Sequence, residues 1–193
     1  KMLINKQIIL KETPQGKLSN SHFETISSDI TSPDDGKVLI ETLYISIDAA
    51  NRAWMQGRTY RNQILPGNLM AGFALGKVIE TKSDNFKVGD IVEGDLGWQN
   101  YSLKSENEIE KAHIISSLSL HMSVLGITGR TAYFGLKLAD LKKEDTVLIS
   151  AAAGAVGNVA GQIAKIKGCR VIGITGSEEK AKWLTQDLGF DGV

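Results

Sequence analysis

The chain has 193 residues, and its 22 lysines and arginines balance its 22 aspartates and glutamates. That neutrality offers no electrostatic footprint for nucleic acid or an anionic membrane surface, and no apolar run approaches the roughly 18 residues of a membrane span. The single cysteine, Cys169, excludes an intrachain disulfide. Together with an opening segment that lacks the apolar core of a signal peptide, it points to a reducing cytoplasm. The three histidines (His22, His113, His121) and Cys169 fall at no metal-ligand spacing, so no metal site is expected.

Up to about residue 115 the pattern is one of short strands between turns. Residues 7–10 and 22–26 are the first two. Residues 37–47 follow the turn Pro33-Asp34-Asp35-Gly36 and alternate. Val38, Ile40, Thr42 and Tyr44 fall on one face; Leu39, Leu43, Ile45 and Ile47 fall on the other, interrupted by Glu41. Strands over 72–81, 90–93 and 98–103 complete an all-β, barrel-like module with glycine-rich corners.

From Ser119 the period changes. Residues 120–126 and 129–138 carry apolar side chains at helical spacing, with Tyr133 and Phe134 as helix core. His121, in the first of these, reads as packed or surface rather than as a ligand. An apolar strand, Thr146-Val147-Leu148-Ile149, then leads into the small-residue turn Ser150-Ala151-Ala152-Ala153-Gly154-Ala155-Val156-Gly157. A helix over 158–167 and a second strand over 170–175 follow. Strand, tight turn, helix and strand in this order form the first half of a dinucleotide-binding fold. The motif is Ala152-x-Gly154-x-x-Gly157, with alanine in place of the first glycine of G-x-G-x-x-G. A diphosphate approaches backbone amides only where no side chain intervenes, and a helix N-terminus adds partial positive charge. Gly154, Ala155, Val156 and Gly157 are therefore the expected coenzyme-binding residues. Gly161, one turn on, lets the helix lie close to the sheet.

The second strand ends in Thr175-Gly176-Ser177, small and neutral, where an NAD site usually places an acidic residue for the ribose. Ser177 suits the N-cap of the next helix (178–188), and Glu178 and Glu179 suit its first turn. Residues 190–193 then approach a third strand. Nothing after them forms the other half of a nucleotide site, so the chain reads as a fragment of a longer protein. The division expected is a substrate domain over 1–118 and the first part of a nucleotide-binding domain over 119–193.

Leu125-Gly126-Ile127-Thr128-Gly129-Arg130-Thr131-Ala132-Tyr133-Phe134-Gly135-Leu136, the turn 150–157, Gly161-Gln162-Ile163-Ala164-Lys165, Gly168-Cys169-Arg170-Val171, Gly176-Ser177-Glu178-Glu179-Lys180 and Leu188-Gly189-Phe190-Asp191 follow in register. So do Ser46-Ile47-Asp48, Arg52, Met55, Val88-Gly89-Asp90 and Gly97-Trp98-Gln99. Together they resemble the zinc-independent medium-chain dehydrogenases/reductases of the prostaglandin reductase, leukotriene 12-hydroxydehydrogenase, curcumin reductase and 2-alkenal reductase group. The resemblance implies an α/β plus β architecture, a GroES-like β-barrel followed by the truncated first half of a Rossmann domain. It implies NADPH-dependent reduction of the C=C bond of α,β-unsaturated aldehydes and ketones, with a cytoplasmic homodimer as the full-length form. A quinone reductase of the same superfamily, or a non-catalytic NADPH-binding protein, is the alternative.

Lys180 matches the family position that pairs with the 2′-phosphate of NADP, so Gly176, Ser177 and Lys180 join the coenzyme set. Tyr60 lies in a segment that the resemblance places over the active site, and Trp98 walls the substrate pocket or belongs to the β-module's core. Arg52 is expected to pair with an internal carboxylate, and Cys169 to be packed. The group commonly has Pro-Tyr-Met-Arg where Ala49-Ala50-Asn51-Arg52 stands, and its carbonyl-facing tyrosine falls beyond Val193. No catalytic residue is expected within the chain, and the fragment is expected to be inactive.

Overall fold

The computed structural model describes residues 3–193. Two compact units divide the chain, one ending at Ile114 and the other running from Ile115 to Val193. The first contains strands β1 (Ile4–Leu10), β2 (Phe23–Asp29) and β3 (Lys37–Ile45), helix α1 (Ala49–Gln56), and strands β4 (Phe73–Thr81), β5 (Ile91–Asp95), β6 (Tyr101–Ser105) and β7 (Ile109–Lys111). Five of these strands form an antiparallel sheet in the order β6-β3-β4-β5-β7, and β1 and β2 form a separate antiparallel ribbon. The ribbon is tied in through β1: Ile8 N donates to Trp98 O at 2.9 Å, and Met70 N donates to Ile8 O at 2.9 Å. The result is a curled half-barrel.

The entry to β3 follows its turn chemistry. Gly36 adopts φ +74°, a conformation that side-chain-bearing residues rarely take, and Lys37 N closes the turn on Asp34 O at 3.0 Å. Along β3, Val38 and Ile40 are fully buried as the alternation expects, but Tyr44 is exposed and Ile45 packs against their core. The pairing of β3 with β4 slips between Leu39 and Ile40 and again between Thr42 and Tyr44. An irregularity of this kind resets which side chains face inward.

The first unit is not all-β. Helix α1 stands within it, closed by a reciprocal cap: Asp48 Oδ1 accepts from Ala50 N at 3.1 Å, and Asn51 Oδ1 accepts from Asp48 N at 2.7 Å. Its inner face buries Asn51, Trp54 and Met55. Asn51 is 4% exposed, and its amide also donates to Ala71 O at 3.2 Å, so this buried polar group is satisfied. Arg52 meets the carbonyl of Gly16, not a carboxylate.

The second unit holds α2 (Leu118–His121), α3 (Ile127–Leu138), β8 (Thr146–Ile149), α4 (Ala155–Ile166), β9 (Arg170–Gly173) and α5 (Glu178–Lys182), which continues as a π-helical turn over Trp183–Asp187. The helix expected over 120–126 is the shorter α2, after which the chain turns and Gly126 opens α3. Tyr133 and Phe134 are about half exposed rather than core. Helix α3 contacts α4, and its buried residues are Gly129, Ala132 and Leu136 instead; a Cβ on Gly129 would lie 1.6 Å from Val124 O, so the glycine lets the turn before α3 close on it. Cys169 is buried as expected, its thiol donating to Lys142 O at 3.3 Å.

β8 and β9 pair in parallel, Ile149 opposite Gly173, and residue 192 bridges in parallel to Ile172. The last residues are held there by two anchors. The ring of Phe190 fills the space where a side chain at Gly161 would stand. Asp191 receives Lys165 Nζ on both carboxylate oxygens at 2.8 Å and the Val171 N–H at 2.6 Å. Gly161 thus makes room for an aromatic ring from the chain end, beyond easing helix against sheet. Gly161→Val is expected to cost about 1–3 kcal/mol by overpacking, seen as a lowered thermal unfolding midpoint. The Lys165 hydrogen bond, then the Val171 amide, hold the Asp191 carboxyl below its ordinary value of 3.8. A depressed folded value means that its contribution is complete above the unfolded value and is lost as pH falls through the folded one. Unfolding midpoints measured downward from pH 5 should therefore fall less steeply in Asp191→Asn than in the parent chain.

Candidate functional site

The second unit brings its sequence-marked residues together, and the first does not. In the second unit the strand β8 leaves the sheet through Ser150 and Ala151. Ala151 adopts φ +47°, left-handed backbone that an alanine takes only under constraint. Two bonds impose it: Gly154 N closes back on Ala151 O at 2.8 Å, and Ala152 N donates to Ile174 O at 2.9 Å. Ala152 is fully buried in the unit's core beside Ala164 and Val171. The alanine in place of the motif's first glycine therefore packs inward, and its Cβ stands 2.9 Å from where a Cβ on Gly173 would lie. Gly173 is what accommodates it.

Gly154 is the N-cap of α4, with no side-chain cap and no acidic residue in the first turn. The amides of Ala155, Val156 and Gly157 open that helix and have no partner within it. Gly154, Ala155 and Val156 are exposed, whereas Gly157 is buried. A Cβ on Gly157 would lie 2.5 Å from Ala151 O and 2.8 Å from Ala152 Cα, and one on Gly154 would lie 3.0 Å from Ala151 O. Only a bare backbone closes this turn. Parallel pairing of β8 and β9 puts the turn after Gly173 at the same sheet edge as the turn after Ile149. Gly176 and Ser177 lie in that second turn. The Ser177 hydroxyl accepts from Lys180 N at 3.4 Å, capping α5, and Gly176, Ser177 and Lys180 are all exposed. The start of α4 offers N–H donors with no acidic residue in its first turn, and Lys180 adds a cation beside Glu178 and Glu179 of α5, an arrangement in which the α4 end suits a phosphate-bearing ligand.

In the first unit an open depression of about 640 Å³ is lined by Trp54, Tyr60, Arg61, Asn62, Phe73 and Asp95. Tyr60 meets Trp54 edge-on, ring centres 6.0 Å apart at 89°. The Arg61 guanidinium lies 4.7 Å from the Trp54 ring centre, and its Nη1 donates to Asp95 Oδ2 at 2.8 Å. Trp98 lines a different depression of about 550 Å³, with Thr42, Ile45 and Ile47, and its ring tilts against Phe23 at 5.9 Å. Tyr60 and Trp98 therefore do not share a pocket. Arg61 and Asp95 carry no motif, and 34 residues separate them. Only the pairing of β5 with β4 brings Asp95 to this depression. Among the described residues no three His, Cys, Asp or Glu side chains converge as a metal site.

A family profile described as the N-terminal domain of oxidoreductase matches residues 6–112. The chain belongs to that oxidoreductase family. Within it the similarity is to the medium-chain group. The chain is 38% identical over 195 residues to prostaglandin reductase 1 of Bos taurus, covering 98% of this chain and 57% of the relative. It is 35% identical to the NADPH-dependent curcumin reductase of Escherichia coli (strain K12), covering 97% and 55%. The crystal structure of CurA from Vibrio vulnificus superposes with a TM-score of 0.89 at 38% identity, over 97% of this chain and 56% of that one. The chain thus spans about half the length of the relatives that it matches. The fold is that of the medium-chain oxidoreductases, a half-barrel followed by a parallel βαβ unit.

Two glycines of the second unit separate by the space around them. Gly157→Ala drives a Cβ into backbone that cannot yield and is expected to destabilise by about 1–3 kcal/mol. Gly176→Ala meets open space and is expected to stay within about 0.5 kcal/mol. Chemical denaturation of both variants checks the contrast.

Proposed function

We propose that the protein to which this chain belongs is an NADPH-dependent, zinc-independent oxidoreductase that reduces the C=C bond of α,β-unsaturated aldehydes and ketones. The observation that carries the reading is the start of α4, which has no side-chain cap and carries glycine at its cap and at Gly157, supported by relatives named as NADP-dependent reductases and by a similar fold solved with NADPH. The amides of Ala155, Val156 and Gly157, with Gly154 at the cap, hold the coenzyme's diphosphate. Lys180 pairs with the 2′-phosphate, and Gly176 and Ser177 leave room for the ribose. NADPH, when bound, supplies the hydride. Tyr60 borders the unsaturated substrate over the depression it shares with Trp54 and Phe73, and Trp98 borders the neighbouring one. The protein acts in the cytoplasm, and its full-length form is a homodimer.

A specific observation favours a second reading, quinone reduction. The quinone oxidoreductase structure from Coxiella burnetii matches 98% of this chain at 27% identity with a TM-score of 0.70.

Calorimetric titration with NADPH and NADH tests the coenzyme assignment. NADPH is expected to bind more tightly, and Lys180→Ala to narrow that preference about tenfold, the size of one charge-assisted contact. Failure of both coenzymes to bind overturns the reading. Loss of reduced-nicotinamide absorbance with enones but not quinones, followed on the protein at its relatives' length, separates the two reactions.

A further inference from the structure

The segment between α1 and β4 crosses from Gly57 to Asn68 without helix or strand. Its second half is anchored from within: Ile64 is buried and its N–H donates to Trp54 O at 2.8 Å, while Gln63 Nε2 donates to Met55 O at 2.9 Å. The first half is held differently. Arg61 reaches Asp95 through Nη1 at 2.8 Å and lies over the Trp54 ring. Asp95 is itself fixed, because its Oδ1 accepts the Gly72 N–H at 2.9 Å. One carboxylate at the end of β5 therefore ties the segment to the entry of β4. Tyr60, the neighbour of Arg61, is 83% exposed and meets the Trp54 ring edge-on. A side chain so exposed has little packing to hold it, so its place follows from that of Arg61.

Stability alone does not explain the arrangement. The ion pair is partly exposed, a setting in which such pairs contribute little. Arg61 Nε and Trp54 Nε1 are both buried with no acceptor among the described residues.

We propose that Arg61 and Asp95 form a latch that positions Tyr60 at the rim of the Trp54–Phe73 depression, making Arg61 a positioning residue for substrate binding. The proposal rests on the reading that Tyr60 borders an enone substrate. Arg61 acts through Tyr60 and not by touching the substrate, so its effect vanishes once the Tyr60 ring is removed.

The probe is 4-phenyl-3-buten-2-one, titrated into the 193-residue chain and followed by the indole N–H signals of its three tryptophans, with Trp54 assigned by Trp54→Phe. The probe is expected to shift the Trp54 signal. Tyr60→Ala and Arg61→Gln are each expected to weaken binding about tenfold, and the double variant no further, the signature of coupled residues. Asp95→Asn keeps an acceptor for the Gly72 amide but loses the charge, and should reproduce Arg61→Gln; Arg61→Lys should restore part of the loss. Unperturbed Trp98 and Trp183 signals show that each variant is folded. Additive losses in the double variant, undiminished binding by Arg61→Gln, or no response of the parent chain overturns the latch. Shifts of the Gly154–Gly157 amides on addition of NADPH report the coenzyme reading separately.

Discussion

The absence of side-chain atoms at three points governs the βαβ part of the second unit. Gly157 lies against Ala151 and Ala152, Gly161 against the Phe190 ring, and Gly173 against the Ala152 methyl. Each contact brings the helix α4, the β8–β9 pair or the chain end nearer than a Cβ would allow. The consequences are linked. Close packing holds the turn 150–157 tight enough to force Ala151 into left-handed backbone, and that turn aims the first amides of α4 outward from the sheet edge. An interior packed at crystal-like density transmits such constraints because it has no slack.

The first unit solves a different problem. Its ribbon and five-stranded sheet bury two separate clusters, one around Val38, Val78 and Val92 and another around Leu10, Trp54 and Met70. Helix α1 belongs to the second cluster and carries Trp54 into it. That places an aromatic floor beneath an irregular segment, and the charged pair Arg61–Asp95 joins the two. Polar contacts across irregular backbone fix geometry more than they add stability, which is why such segments carry recognition in many scaffolds.

Much of this was legible from residue order. Strand β8 has the bounds expected of it, and the other strands except β7, which the sequence pattern did not mark, lie close to their expected places, as do α3, the Ser177 cap and the buried Cys169. Those features depend on neighbours within a few positions. Helix α1 carried a readable sign, Asp48 three residues before Asn51, which the strand pattern around it masked. Apolar character alone points Tyr133 and Phe134 inward on α3, whereas the residues it buries are Gly129, Ala132 and Leu136. Tyr44 fell on the wrong face because a pairing irregularity is invisible in an alternating string.

The sequence by itself determined the order of the elements in the second unit, the glycine turn between an apolar strand and a helix, and the small neutral end of β9. Each is set by local conformational preference and by the bulk of single side chains. Tertiary structure alone decided that Asp95 meets Arg61, that Phe190 needs Gly161, and that Tyr60 and Trp98 stand in different depressions. These are contacts between residues tens of positions apart, and their existence depends on how strands pair and where irregular backbone crosses, which no local preference encodes.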